Sequence, residues 1–170
     1  MCLYQPTRAY FGQKDIQQAL ILRRLTSDLL ISHPLPSNIV IVPTRRSTDG
    51  LALSSRNAYL TDTEREYAGT LYAALCLAQR EWEGGSSSAE QALTCAREFV
   101  QQRTKEAKDR DVELVLDYVA IMDPETFEPV NWAQREDPNR TAILSGALFV
   151  GKTRLIDNLL CGDISTVVPQ

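Results

Sequence analysis

Residues 39–42 read Ile39-Val40-Ile41-Val42, an unbroken β-branched run closed by Pro43 and preceded by the turn-forming Pro36-Ser37-Asn38. A short apolar run without alternation is the pattern of a strand covered on both faces. A helical pattern comes just before it, so the strand is expected to lie in a parallel sheet. Asp15 stands where an N-cap would, and Gln18, three residues on, can close a capping box. Ile16, Leu20, Leu22, Leu25, Leu29 and Leu30 follow at mostly helical spacing. The helix should stop before Pro34, because the residue preceding a proline avoids the α region. Helix followed by buried strand commits the first part of the chain to an α/β arrangement.

The pattern then changes. Residues 44–57 form a polar loop. Thr61 and Glu64 make a second capping box, opening a helix expected over 61–82. Gly84-Gly85-Ser86-Ser87-Ser88 reads as a flexible linker. Ser88 and Gln91 open a third helix, through Phe99 towards Lys105, and residues 106–111 read as a charged, solvated stretch. From Val112 the period becomes two, which predicts a strand within 112–122 and a turn at Asp123-Pro124-Glu125-Thr126. Residues 141–150 predict another strand, with Gly151-Lys152 turning into Thr153-Arg154-Leu155-Ile156-Asp157. Residues from Gly162 onward are expected to fray.

Composition narrows the function classes. Acids outnumber bases 22 to 18, a net charge of −4. That disfavours broad binding to nucleic acid or a membrane surface. No run approaches the length that spans a bilayer, and the first residues lack the basic-then-apolar pattern of a secretory signal. Cys2, Cys76, Cys95 and Cys161 are scattered and form no C-x-x-C, and His33 is the sole histidine. No metal-ligating set is expected, and reduced thiols in a cytoplasmic setting are.

Residues 146–153, Gly146-Ala147-Leu148-Phe149-Val150-Gly151-Lys152-Thr153, satisfy the spacing G-x-x-x-x-G-K-[ST]. A phosphate-binding loop uses that spacing to wrap backbone N–H groups around phosphates. Here the intervening residues are apolar and suit a strand, whereas a phosphate cradle needs an exposed loop. Too few residues follow Thr153 for the helix, second strand and Mg²⁺-supporting Asp of such a fold. A β-hairpin is the expectation, and a P-loop nucleotide binder the lesser alternative.

Two other segments carry candidate chemistry. In Phe11-Gly12-Gln13-Lys14-Asp15-Ile16-Gln17-Gln18, a turn enters a helix, whose free N–H groups and dipole favour an anion. Gly12 admits a ligand to the backbone, Lys14 adds a cation, and Asp15 can accept ribose hydroxyls. The same residues also fit a plain helix cap with a solvated lysine. In Asp49-Gly50-Leu51-Ala52-Leu53-Ser54-Ser55-Arg56-Asn57, two hydroxyls and a guanidinium suit a polyphosphate, with Arg45 and Arg46 in the same loop. A polar loop capping a helix fits equally.

Together these words resemble the pantothenate synthetase (pantoate–β-alanine ligase) family. The match runs through residues 11–18, the strand closed by Pro43, residues 49–57 with Tyr59-Leu60, and Thr153-Arg154-Leu155-Ile156-Asp157-Asn158. It covers about residues 3–161. Ser54-Ser55-Arg56-Asn57 corresponds to the mobile phosphate-binding signature of the nucleotidylyl-transferase superfamily. The resemblance implies attack of the pantoate carboxylate on the α-phosphate of ATP, giving a pantoyl adenylate, then capture by the amine of β-alanine with release of AMP. It implies Lys14, Ser54, Ser55 and Arg56 as catalytic residues. Gly12, Gln13, Lys14, Asp15, Arg45, Leu53, Ser54, Ser55 and Arg56 are implied at ATP, and Gln18 at pantoate. Arg45 departs from the family, which usually has an apolar residue there. ATP and Mg²⁺ are the implied cofactors.

The implied fold is α/β: residues 1–44 as the last part of a Rossmann-like domain, residues 45–162 as a small α+β domain carrying the Ser-Ser-Arg loop, and 163–170 as a tail. The family also carries an upstream H-x-G-H motif and a further glutamine for pantoate, which this sequence does not contain. The chain is therefore expected to correspond to the C-terminal half of such an enzyme. It would bind ATP weakly and make no appreciable pantothenate alone, with the edge of the strand at residues 39–42 exposed. The implied partners are pantoate, β-alanine and ATP, with a second copy of the chain or an N-terminal half as protein partner. A catalytically inactive interaction module is the alternative from another class.

Overall fold

A computed structural model describes residues 4–84, 88–130 and 140–168 of the protein. The β-branched run forms β2 (Ile39–Val42), which pairs in parallel with β1 (Ala9–Gly12), Gly12 lying opposite Val42. Helix α1 (Ile16–Asp28) makes the crossover. Ile39 and Ile41 are buried, but Val40 is only half-buried and Val42 exposed, so one face of the strand is covered rather than the expected two; Ile16 and Ala19 of α1 pack in the layer of Ile41. Strand β1 is the element with no pattern to announce it: four residues, one of them glycine.

Helix α1 differs from expectation at both ends. Asp15 occupies the N-cap position, but its side chain makes no capping hydrogen bond. A 3₁₀ turn, Gln13–Asp15, precedes the helix and sets a different entry path. At the other end, Leu25, Leu29 and Leu30 of the expected apolar face are exposed. The face that packs is narrower: Ile16, Ala19 and Thr26, with Leu20 half-buried. Arg23 then ties the layer together, its Nη2 donating to the carbonyls of Ile39 at 3.1 Å and Val167 at 3.0 Å.

The second sheet is antiparallel, in the order β3 (Leu114–Met122), β4 (Ala142–Val150), β5 (Thr153–Cys161). Central strand β4 is buried at eight of its nine positions, hence its lack of alternation. One face lies under α3 (Thr70–Glu83) and α4 (Ala89–Lys108), around Leu71, Leu75, Trp82, Leu144 and Leu148. The other face brings Met122 and Ile143 against Ile16, Ala19 and Ile41. The expected helix over 61–82 is two, α2 (Asp62–Tyr67) and α3, interrupted around Gly69. Both capping boxes, Thr61 with Glu64 and Ser88 with Gln91, are formed. Of the expected linker, residues 85–87 lie outside the described residues. Helix α4 runs on to Lys108, beyond the expected end.

The G-x-x-x-x-G-K-T pattern is a β-hairpin, with Val150 paired to Thr153. Each glycine has a packing reason. A Cβ at Gly146 would meet Leu71 Cδ1 at 2.9 Å and the Tyr118 carbonyl at 3.1 Å, so glycine lets α3 approach the sheet. Gly151 takes the turn at φ +54°, its N–H donating to Glu113 O at 2.8 Å. The stretch after Gly162 is not simply frayed. It forms a 3₁₀ turn, Ile164–Thr166, and buries Val167 in the α1 layer. No helix among the described residues is long and apolar enough to cross a membrane, and Cys76 and Cys95 are free thiols.

Candidate functional site

Strands β1 and β2 end side by side, so the segments that leave them emerge together. In open parallel sheets ligands gather beyond the carboxyl ends of the strands. From β1 comes the turn Gln13–Asp15, feeding the N-terminus of α1. From β2 comes the loop over 43–54. Gly12, Asp15 and Gln18 are exposed, and Gln13 and Lys14 half-buried.

The loop is a small hairpin. Ser47 N–H donates to Leu51 O, Gly50 N–H to Ser47 O and Leu53 N–H to Arg45 O, each at 2.9 Å. Arg46 and Ala52 form an antiparallel bridge. Gly50 sits at φ +88°, against the Tyr72 ring. Leu51 and Ala52 are buried as the loop's anchor, and Asn57 Nδ2 donates to Ala52 O at 3.0 Å. The tip that follows is left outward: Leu53, Ser55 and Arg56 are exposed and Ser54 half-buried. Ser54 caps the 3₁₀ turn Ser55–Tyr59, its Oγ accepting from Arg56 N–H at 3.3 Å.

Four arginines near this loop divide cleanly. Arg65 pairs with Asp49 and also donates to Ser47 Oγ at 3.0 Å. That pairing outweighs the opposing effect of burial and, with help from the Ser47 hydroxyl and the Leu51 N–H, holds the Asp49 carboxyl well below the usual carboxylate range. Arg46, in the same loop as Arg45, points inward. It makes a two-pronged pair with buried Asp157, donates to Gly50 O at 3.2 Å and lies 3.9 Å over the Tyr72 ring. Arg45 and Arg56 are exposed and have no carboxylate partner among the described residues; half-buried Lys14 has none either. The cations open to an anion are therefore Lys14, Arg45 and Arg56. The Arg45 carbonyl is engaged by Leu53, so its side chain is the group left open.

Sequence reasoning gave no role to Asp157 and Asn158, although both lie in a segment that carries the family resemblance. Both are buried in β5. Asn158 Nδ2 donates to the carbonyls of Gln13 and Lys14, each at 2.9 Å, and its Oδ1 accepts from Gln13 Nε2 at 3.3 Å. The available signal was chemical: two adjacent polar residues in a strand otherwise built to be buried. A cleft of about 140 Å³ lies beside them, lined by Lys14, Asp15, Gln18, Tyr118 and Ser145. Ser145 is buried and its hydroxyl has no hydrogen-bond partner among the described residues. Among the described residues, no group of three or more His, Cys, Asp or Glu could hold a metal ion.

Comparison with known proteins gives a consistent result. The family model described as pantoate-beta-alanine ligase matches residues 1–160. A bifunctional pantoate ligase/cytidylate kinase from Synechococcus sp. (strain JA-3-3Ab) is 44% identical over 158 residues, 93% of this chain and 26% of that protein. The crystal structure of pantothenate synthetase from Thermus thermophilus is 39% identical, with a TM-score of 0.73 over 99% of this chain and 52% of that one. The pantoate-beta-alanine ligase of Francisella tularensis, complexed with beta-gamma ATP and beta-alanine, is 26% identical with a TM-score of 0.55, covering 94% of this chain and 45% of its own. The chain thus spans about half the length of the two solved structures, and about a quarter of the bifunctional relative.

Proposed function

Because the chain belongs to the pantoate–β-alanine ligase family, we propose that it carries the nucleotide-facing part of an ATP-dependent ligase joining pantoate to β-alanine through a pantoyl adenylate. One observation carries the reading. Two chemically suited segments, residues 12–18 and 53–56, follow strands that end side by side in one parallel sheet, and the 3₁₀ turns they enter, Gln13–Asp15 and Ser55–Tyr59, both lie beside β5.

The reaction has two steps. Pantoate's carboxylate oxygen attacks the α-phosphorus of ATP and pyrophosphate leaves. The β-alanine amine then attacks the acyl carbon, an amide forms, and AMP leaves with the bonding pair. Neither step needs a protein nucleophile; both need alignment and neutralisation of charge. Lys14 faces the phosphates, and Asp15 the ribose hydroxyls. Gly12 and Gln13 let the nucleotide lie close to the backbone. Gln18 hydrogen-bonds pantoate. Leu53, Ser54, Ser55 and Arg56 close over the adenine edge and the phosphates, donating from two hydroxyls and a guanidinium. Arg45 borders the adenine. Magnesium enters as part of the Mg·ATP substrate, held chiefly by phosphate oxygens and water.

Titration calorimetry with Mg·ATP tests the nucleotide site. Arg56→Ala and Lys14→Ala should each weaken binding about tenfold, the loss of one charge-assisted contact. Lys152→Ala, in the hairpin turn, should leave it within about twofold. Binding that depends on Lys152 and ignores Arg56 would reverse the assignment. Alone, the chain should release no appreciable AMP with pantoate and β-alanine; release that requires both would make it sufficient as an enzyme. Binding without such release would assign the chain a nucleotide-binding role only.

A further inference from the structure

We propose that Asp157 and Asn158 are a pair of positioning residues that lock the Gln13–Lys14 turn and the 45–53 loop to each other through strand β5. What those two segments bind rests on the ligase reading above; that they are coupled does not.

Adjacent residues of a strand face opposite sides of the sheet. Asn158 lies opposite Ser145, on the side that meets the α1 layer, and Asp157 lies opposite Gly146, on the side under α3. Asn158 therefore reaches the turn after β1, where it binds two consecutive carbonyls and the Gln13 amide. Asp157 reaches Arg46, which Tyr72 of α3 supports from below, and Arg46 in turn holds Gly50 O of the loop. The two anchors also touch each other. Asp157 Oδ1 accepts the Asn158 N–H at 2.8 Å, and Arg46 Nη2 donates to Asn158 O at 3.5 Å.

Stability alone is a poor account of this arrangement. Asp157 is 5% exposed and Asn158 2%. A buried ion pair is often no better than apolar residues of the same volume, and each member becomes a penalty if its partner shifts. That intolerance is what positioning requires. A small displacement of the turn leaves the Asn158 amide unsatisfied, and a displacement of the loop leaves Asp157 a buried, unpaired charge. The separation of Lys14 from the Ser54–Arg56 tip is set by two such contacts on one rigid strand, and alignment of phosphate donors depends on that kind of fixed geometry.

Amide hydrogen exchange on the full 170-residue chain tests the coupling. Asn158→Ala should speed exchange by about tenfold or more in residues 12–18 and also in residues 44–57, while α4 stays unchanged. Arg46→Lys keeps the charge and loses the fork, and should speed exchange in residues 12–18 from the opposite end, even where Asn158→Ala does not fold. Deprotection confined to the mutated side, or spread equally into α4, overturns the proposal. Mg·ATP affinity supplies a readout that a purely structural role would not move. Asn158→Ala should weaken binding about tenfold, and by a smaller factor in a Lys14→Ala background, since part of its effect runs through Lys14. Equal losses in both backgrounds overturn it. A wild-type chain that binds no Mg·ATP would refute the nucleotide site, and the exchange pattern would still decide the coupling.

Discussion

Asp49 and Arg65 show how a loop residue with a chemically inviting sequence context can be committed to structure. Arg65 reaches from α2 to the Asp49 carboxylate, which also accepts from Ser47 Oγ at 2.6 Å. Both side chains are at least a third exposed, Asp49 at 43% and Arg65 at 36%, so water screens much of the attraction. The sign of its pH dependence follows from the depressed folded-state pKa. The stabilisation is complete above the unfolded carboxylate value of about 4 and is lost as pH falls below it towards the folded value. Asp49→Asn should therefore cost about 0.2–1 kcal/mol at pH 7, with the gap narrowing at pH 3. Urea unfolding at both pH values checks this, and an equal gap at the two would refute the assignment.

At the scale of elements, the sequence was most legible where one local pattern had one local cause. Thr61 with Glu64 and Ser88 with Gln91 closed their capping boxes because nothing else competes for those side chains. The spacing at Asp15 and Gln18 is as good, yet no cap forms: Asp15 ends a 3₁₀ turn at φ −107°, ψ 49°, not in the extended backbone of Thr61 and Ser88, and that turn's carbonyls are held by Asn158, 144 residues away in the case of Lys14. No local rule contains that contact. The strand at residues 39–42 was readable from its apolar run, and the hairpin from apolar residues around Gly151. Partner strand β1 was not, being too short to show a period. The exposed tip at residues 53–56 was readable by type, but not which arginines remain open: Arg45 and Arg46 are adjacent, and only tertiary pairing separates them. This difference between true and apparent caps is measurable. Thr61→Ala should cost about 1 kcal/mol, while Asp15→Ala should shift stability by less than about 0.5 kcal/mol. Denaturant midpoints at unchanged slope give both values.

At the scale of the molecule, strand β4 holds two layers together from its two faces. Leu144 and Leu148 face the larger core under α3 and α4, where Trp82 is fully buried. Ile143 faces the smaller core, with Ile16, Ala19, Ile41, Met122 and Val167. The smaller cluster has few large side chains, and much of the apolar surface of α1 lies outside it. Its hold on the antiparallel sheet therefore rests heavily on Ile143, which is 0% exposed. Truncation to alanine removes that contact and leaves a cavity where the layers meet, at a cost of about 2–5 kcal/mol. The loss should fall on one layer rather than on both. In a Trp132→Phe background, Trp82 fluorescence reports the larger core and far-ultraviolet circular dichroism reports helix throughout. The two should move together in denaturant while Ile143 is present, as one cooperative unit. With Ile143→Ala, part of the dichroism should be lost at a lower denaturant concentration than the fluorescence change, as α1 separates first. Coincident transitions in the variant would mean that Arg23, with its bonds to Ile39 and Val167, and Asn158, with its bonds to the turn before α1, hold the layers together without the apolar contact.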